Sequence, residues 1–213
     1  MVQFKVLISI ILVLELFGLP STVLGQTNGD RKHIIVIDPG HGGKDSGAVG
    51  VNGILEKDVV LKIAKQIEEL NETTFKNQFE IYLTRYKDTL ISLGDRSKLA
   101  KTLNADVFIS LHCNHSDNAN ARGIEVYVSK KKGKYSRKSI LLAYDFQKGL
   151  KKNLGFESRG VKFVDFQVLR ETSDYFPSIL LELGFLSNWD ENRYFKNNEN
   201  YRGFGWSILK ALN

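Results

Sequence analysis

The chain is short of several things, and each shortage removes a class of protein. It has one cysteine, Cys113, in 213 residues. No internal disulfide can form, so a hydrophobic core has to carry the fold. It has no apolar run long enough to span a bilayer; the longest, Val6 to Leu14, has the length of a signal-peptide core. No cysteine follows that run at the expected cleavage point, so nothing suggests a lipid anchor. No internal repeat or low-complexity segment is present, and no second domain or appended binding module is expected. The formal net charge is +6, but the basic residues are scattered apart from Lys130-Lys131-Lys132, and aromatic residues do not interleave with them. Nucleic acid is therefore excluded as the expected partner, and a mildly basic exported protein suits an anionic polymer or surface instead.

What is present begins with an export segment. Lys5 precedes the apolar run, Pro20 breaks any helix, and Val23-Leu24-Gly25 offers compact residues for a signal peptidase. Residues 1–25 are expected to be a signal peptide cleaved after Gly25, the alternative being an uncleaved amphipathic anchor that keeps Glu15. Residues 26–213 then form a single domain.

Within that domain strand-like and helix-like segments alternate. His33 to Asp38, Phe79 to Thr84, Val107 to His112, Gly123 to Val128, Gln167 to Arg170 and Ser178 to Leu183 read as strands. Glu56 to Leu70, Asp95 to Leu103, Ser139 to Asn153 and Tyr201 to Leu212 read as helices. The expected fold is α/β: a mixed, mostly parallel central sheet of about six strands with helices on both faces.

Four polar residues stand where burial is costly without a partner. His41 lies in Asp38-Pro-Gly-His-Gly-Gly43, on a loop whose glycines permit tight turning; it is either a turn residue or a ligand. Glu56 heads the helical stripe 56, 60, 63, 67, 70, which places a carboxylate on the face that packs on the sheet. Helix-dipole preference accounts for its position in the first turn but not for its inward direction. His112 shares a strand face with Phe108, Ser110 and Asn114, while Cys113 points to the other face and reads as a small buried hydrophobe. Glu182 is the only charge in Ile179-Leu-Leu-Glu-Leu-Gly184. Two histidines and two carboxylates at the same rim suggest zinc hydrolysis: three protein ligands, and a further carboxylate as base for a water.

Several ordered motifs carry a resemblance. They are Ile37-Asp-Pro-Gly-His-Gly-Gly-Lys-Asp-Ser-Gly-Ala48, Leu55-Glu-Lys-Asp58, Leu83-Thr-Arg85, Ser110-Leu-His-Cys-Asn114 and Leu180-Leu-Glu-Leu-Gly-Phe-Leu-Ser-Asn188. From about Ile34 onward the chain resembles the zinc-dependent N-acetylmuramoyl-L-alanine amidases of bacterial cell-wall turnover. The resemblance implies His41, Glu56 and His112 as zinc ligands and Glu182 as catalytic base. It implies hydrolysis of the amide between N-acetylmuramic acid and L-alanine in peptidoglycan, in a periplasmic or extracellular setting. Arg170 lies in a segment the family also uses; it either meets a substrate carboxylate or is a surface arginine. Some relatives carry an inserted helix that blocks the zinc until a partner removes it; the stretch from Ser129 to Ser139 is too short for one. The expectation is an unblocked monomer whose activator, if it uses one, the sequence does not name. The rival readings are a zinc carboxypeptidase and a catalytically inert wall-binding protein.

Overall fold

The computed structural model describes residues 31–213, so the expected signal peptide, residues 1–25, lies outside the described residues. Lys32–Asn213 form one compact unit. In chain order its elements are β1 (His33–Pro39), α1 (Glu56–Thr73), β2 (Phe79–Leu83), α2 (Leu93–Thr102), β3 (Val107–Asn114), β4 (Ile124–Ser129), α3 (Ser136–Leu154), β5 (Ser158–Val164), α4 (Gln167–Thr172), β6 (Ser178–Phe185), α5 (Trp189–Lys196) and α6 (Asn198–Ala211).

The six strands make one sheet in the order β2-β1-β3-β6-β4-β5. Pairings within β2-β1-β3-β6 are parallel, β4 runs antiparallel to β6, and β5 is parallel to β4. The mostly parallel, mixed α/β sheet is thus as expected. Because the direction reverses between β6 and β4, the carboxyl ends of β1, β3 and β6 share a rim with the amino ends of β4 and β5.

Side-chain alternation divides the core between the two faces. Ile35, Ile37, Ile109, Leu111, Ile179, Leu181 and Leu183 pack under α1, α3 and α6. In α1, Val60, Ile63, Ile67 and Leu70 are at most 1 % exposed, so the predicted stripe is the buried one. On the other face Val36, Phe108 and Leu180 meet Ala100 of α2 and Val168 and Leu169 of α4. Helix starts are set by short polar side chains: Ser92 accepts from the Asp95 amide, Asn188 from those of Asp190 and Glu191, and Asn197 from that of Glu199.

Three expectations about elements are corrected. Gln167 to Arg170 is helical, not a strand. A four-residue stretch with two apolar residues carries too little periodicity to separate the two, and Val168 and Leu169 are buried from one turn of helix, with the Thr172 hydroxyl donating to the Val168 carbonyl. The sixth strand is instead β5, which the sequence hides because it is an edge strand, half exposed and rich in polar residues. The C-terminal region holds two helices, α5 and α6, where one was expected.

Candidate metal centre

The site forms where the loop after β1 crosses the ends of β3 and β6. The loop carries His41 with a positive φ of 59°, followed by Gly42 and Gly43, also at positive φ. Two glycines are required by contact. A Cβ on Gly40 would lie 2.4 Å from Cε1 of His112, and one on Gly47 would lie 2.5 Å from Oε2 of Glu56. The glycine-rich motif therefore lets the backbone close directly over two of the functional side chains.

Two buried guanidiniums hold this loop. Arg96 donates to the carbonyls of Pro39 and His41, each at 2.8 Å, and pairs with buried Asp38 at 2.7 Å. Arg85 donates to the carbonyls of Pro39 (3.0 Å) and Gly40 (2.8 Å). Asp38 also accepts from the hydroxyls of Thr84 (2.6 Å) and Ser110 (2.7 Å), which satisfies a carboxylate that burial would otherwise penalise. Sequence reasoning passed over Asp38, Arg85 and Arg96. Only Asp38 gives a signal of its own, a carboxylate ending an apolar strand.

His41, Glu56 and His112 converge. Their ligating atoms lie within 4.8 Å of one another, and among the described residues this is the cluster able to hold a metal ion. Oε1 of Glu56 is 3.0 Å from Nε2 of His41 and 2.9 Å from Nδ1 of His112. The same oxygen accepts from the Cys113 amide at 3.0 Å, while Oε2 accepts from the Ala48 amide at 2.7 Å. Nδ1 of His41 meets Asp45 at 2.9 Å. A carboxylate on that nitrogen fixes the tautomer that presents Nε2 to the centre, the usual support for a metal-ligating histidine. Cys113 is buried on the opposite strand face, as expected. His115 is exposed, and His33 lies at the other end of the sheet.

The electrostatics fit a cation site. Burial alone would raise the Glu56 carboxyl, but the hydrogen bonds and charges of His112 and His41 outweigh it and hold the group far below its ordinary value. Burial alone would lower His41; its bonds to Glu56 and Asp45 outweigh that and raise it from 6.5 to about 9. Without a metal, His41 and Glu56 thus form an oppositely charged pair whose proton a cation would displace, and two histidines with one carboxylate match an established donor set for catalytic zinc.

Glu182 stands opposite His112 in the β3–β6 register. Its Oε2 is shielded from solvent and has no hydrogen-bond partner. Burial first, and then the nearby Glu56 and Glu125, push its carboxyl up from 4.5 to about 7, against the opposing pull of His112 and His41. All but Glu56 of these four residues line a cleft of about 720 Å³, whose other wall is apolar: Leu90, Ile91, Leu93, Phe166, Val168 and Leu180. Arg170, the expected substrate contact, sits on α4 with its Nη1 bonded to the side chain of Asp165 at 2.7 Å, outside the lining of this cleft.

A two-histidine, one-carboxylate cluster beside an unpartnered carboxyl with a raised pKa, at the carboxyl ends of parallel strands, is the layout of a metal-dependent hydrolase. Residues 35–213 match the family described as N-acetylmuramoyl-L-alanine amidase, and the chain belongs to that family. It is similar to the N-acetylmuramoyl-L-alanine amidase LytC of Bacillus subtilis (strain 168), 39% identical over 171 residues, which cover 80% of this chain and 31% of LytC. Among solved structures it is similar to the N-acetylmuramoyl-L-alanine amidase AmiC2 of Nostoc punctiforme, with a TM-score of 0.77 and 34% identity over 86% of this chain and 97% of that one. It is also similar to the CwlD amidase of Clostridioides difficile, solved in complex with the GerS lipoprotein, with a TM-score of 0.76 and 27% identity over 85% of this chain and 96% of that one. The chain spans from 31% to 66% of the length of the first curated relatives it matches.

Proposed function

We propose that this protein hydrolyses the amide joining N-acetylmuramic acid to L-alanine in peptidoglycan, with zinc held by His41, Glu56 and His112. The observation that carries the reading is the juxtaposition of that donor set with Glu182, a carboxyl left without a hydrogen-bond partner. Zinc in such a site acts as a Lewis acid, polarising a carbonyl and making water a stronger acid. Glu182 is the base. Its raised pKa suits it to take a proton from the attacking water near neutrality and then to hand that proton to the departing alanine nitrogen as the C–N bond breaks. Asp45 orients His41, and the Cys113 and Ala48 amides orient Glu56. The apolar wall around Leu90, Leu93 and Phe166 receives the carbon face of the sugar and excludes water from the reacting bond.

The same reading includes export after cleavage at Gly25, action outside the cytoplasm, and residues 26–213 working as one monomeric catalytic domain. Membership of a cell-wall amidase family supports it, and no helix among the described residues is long and apolar enough to cross a membrane. The stretch between β4 and α3 is short enough to leave the cleft open.

The deciding experiment is digestion of purified peptidoglycan with and without a chelator, with mass analysis of the products. Whole stem peptides bearing free L-alanine amino termini, lost with the chelator and restored by zinc, are the expected products. Trimmed stems would indicate a carboxypeptidase, and bound but undigested wall an inert binding protein.

A further inference from the structure

Beyond Glu182 along the same rim lies a second charged cluster that the reaction just described does not use. Glu125 is buried and stands directly opposite Glu182 across the β6–β4 pair. Its Oε1 accepts from Nε of Arg159 at 2.5 Å and from Nζ of Lys162 at 2.6 Å. Its Oε2 accepts from Nδ2 of Asn114 at 3.2 Å and from the Tyr127 hydroxyl. One carboxylate therefore anchors two cations, and the cluster keeps a net charge of +1.

Both cations are held at fixed places yet remain reachable. The Arg159 and Lys162 side chains are 38% and 41% exposed. Arg159 lies over the Phe185 ring, 5.0 Å from its centroid, and Lys162 lies 6.0 Å from that of Tyr127. Glu125 takes one of the three Lys162 donors and Nε of Arg159, and the Arg122 carbonyl accepts from Nη1 of Arg159 at 3.3 Å, which leaves Nη2 of Arg159 and two Lys162 donors for a ligand. A network serving only to fasten β5 to β4 would need one cation per buried carboxylate. The surplus cation, in a pair whose geometry is set before any ligand arrives, is what an anion receptor needs.

The substrate offers anions on one side of the scissile bond. The glycan side presents hydroxyl and acetamido groups, and the peptide side presents carboxylates. The first of these, on the second residue of the stem, lies roughly 7 Å along an extended chain from the reacting carbonyl, about two residues' reach. The cations stand on β5, two strand spacings (about 10 Å) from β6, and their side chains reach back over β4 to Glu125, the residue opposite Glu182. We propose that Arg159 and Lys162, aligned by Glu125, form a subsite for the carboxylate of the second stem residue, so that the enzyme favours stems carrying a free acid there over stems carrying the carboxamide. This inference rests on the amidase reading and extends it from the bond cleaved to the peptide selected.

The test uses two soluble muramoyl dipeptides that differ only in a free acid or a carboxamide on the second residue. The full mature protein and its Arg159→Gln and Lys162→Gln variants are compared, with Arg159→Lys and Lys162→Arg as charge-keeping controls. The wild type is expected to prefer the acid. Each Gln variant should lose ~tenfold of the acid-over-amide ratio of kcat/KM, through KM rather than kcat, the low end for a hydrogen bond to a charged group after solvent screening. The charge-keeping variants should retain the preference. An acid-over-amide ratio that is the same in wild type and both Gln variants would overturn the subsite while leaving the amidase reading intact. Cleavage of neither compound would sink the amidase reading itself. Circular dichroism of each variant guards against misfolding, and since either cation can be removed alone, failure of one variant to fold leaves the other to decide.

Discussion

Glu56 and Glu182 are two inward-facing glutamates at the same centre, and replacing each by Gln should have opposite consequences. In Glu56→Gln an amide nitrogen takes the place of one oxygen. Whichever it replaces, it faces a backbone donor, the Ala48 amide at 2.7 Å or the Cys113 amide at 3.0 Å. A buried N–H left without an acceptor costs ~1–3 kcal/mol. For a domain of this size that lowers Tm by ~2–4 °C per kcal/mol. The substitution also removes the negative charge between His41 and His112, so zinc content should fall together with activity. In Glu182→Gln the replaced group includes Oε2, which has no partner, so no hydrogen bond is broken there. Stability and zinc content should hold, while turnover drops by ~10²–10⁴-fold or more with loss of the only base. The assay is paired: metal content by mass spectrometry and turnover on a muramoyl peptide, with Tm as a third reading. Loss of zinc from Glu182→Gln with retention in Glu56→Gln would mean the two roles are exchanged. An active Glu182→Gln would refute the mechanism.

Three further outcomes are expected. Because Glu182 must be unprotonated to act, and burial pushes its carboxyl from 4.5 up to about 7, kcat/KM should rise with pH along a limb between those values, with bound zinc drawing it toward the lower one; a rate that is flat across this range would remove Glu182 as base. Gly40→Ala places a methyl 2.4 Å from the His112 ring and should weaken zinc binding by ~10–100-fold, measured by competition with a chromogenic chelator, whereas unchanged affinity would show that the ring can move aside freely. In the zinc-free protein, His41 is raised from 6.5 to about 9, so the stability it contributes is complete below pH 6.5 and is lost as pH climbs through 9; Tm should fall across that window, and His41→Gln should flatten the fall.

The parts of the site that the sequence discloses are those where periodicity and chemistry conflict. Glu56 is legible because it sits on an otherwise apolar helical stripe, and Glu182 because it interrupts an apolar strand. Alternation along Phe108 to Asn114 separates His112 from Cys113. Glu125 gives the same signal as Glu182, one charge inside Ile124–Ser129, but its partners come from β5, an edge strand whose mixed composition conceals it. Arg85 and Arg96 escape a periodicity reading for a different reason. Their partners are backbone carbonyls of a loop, and no side-chain pattern encodes where a carbonyl will point. The helical Gln167–Thr172 segment was decided by packing against Phe108 and Leu180, contacts distant in sequence.

The two guanidiniums under the β1 loop have a consequence for when the centre acquires its shape. Opening the loop would strip both buried cations of the loop carbonyls they donate to, leaving Arg96 with Asp38 and Ile91 and Arg85 with Lys57 and Lys87, so opening is costly and the closed arrangement is favoured. The conformational entropy of arranging the ligands is therefore lost during folding and not during metal uptake. Such a protein should reach its substrate with the site already assembled, and its affinity for the ion should follow the quality of the donors more than any flexibility of the chain that carries them.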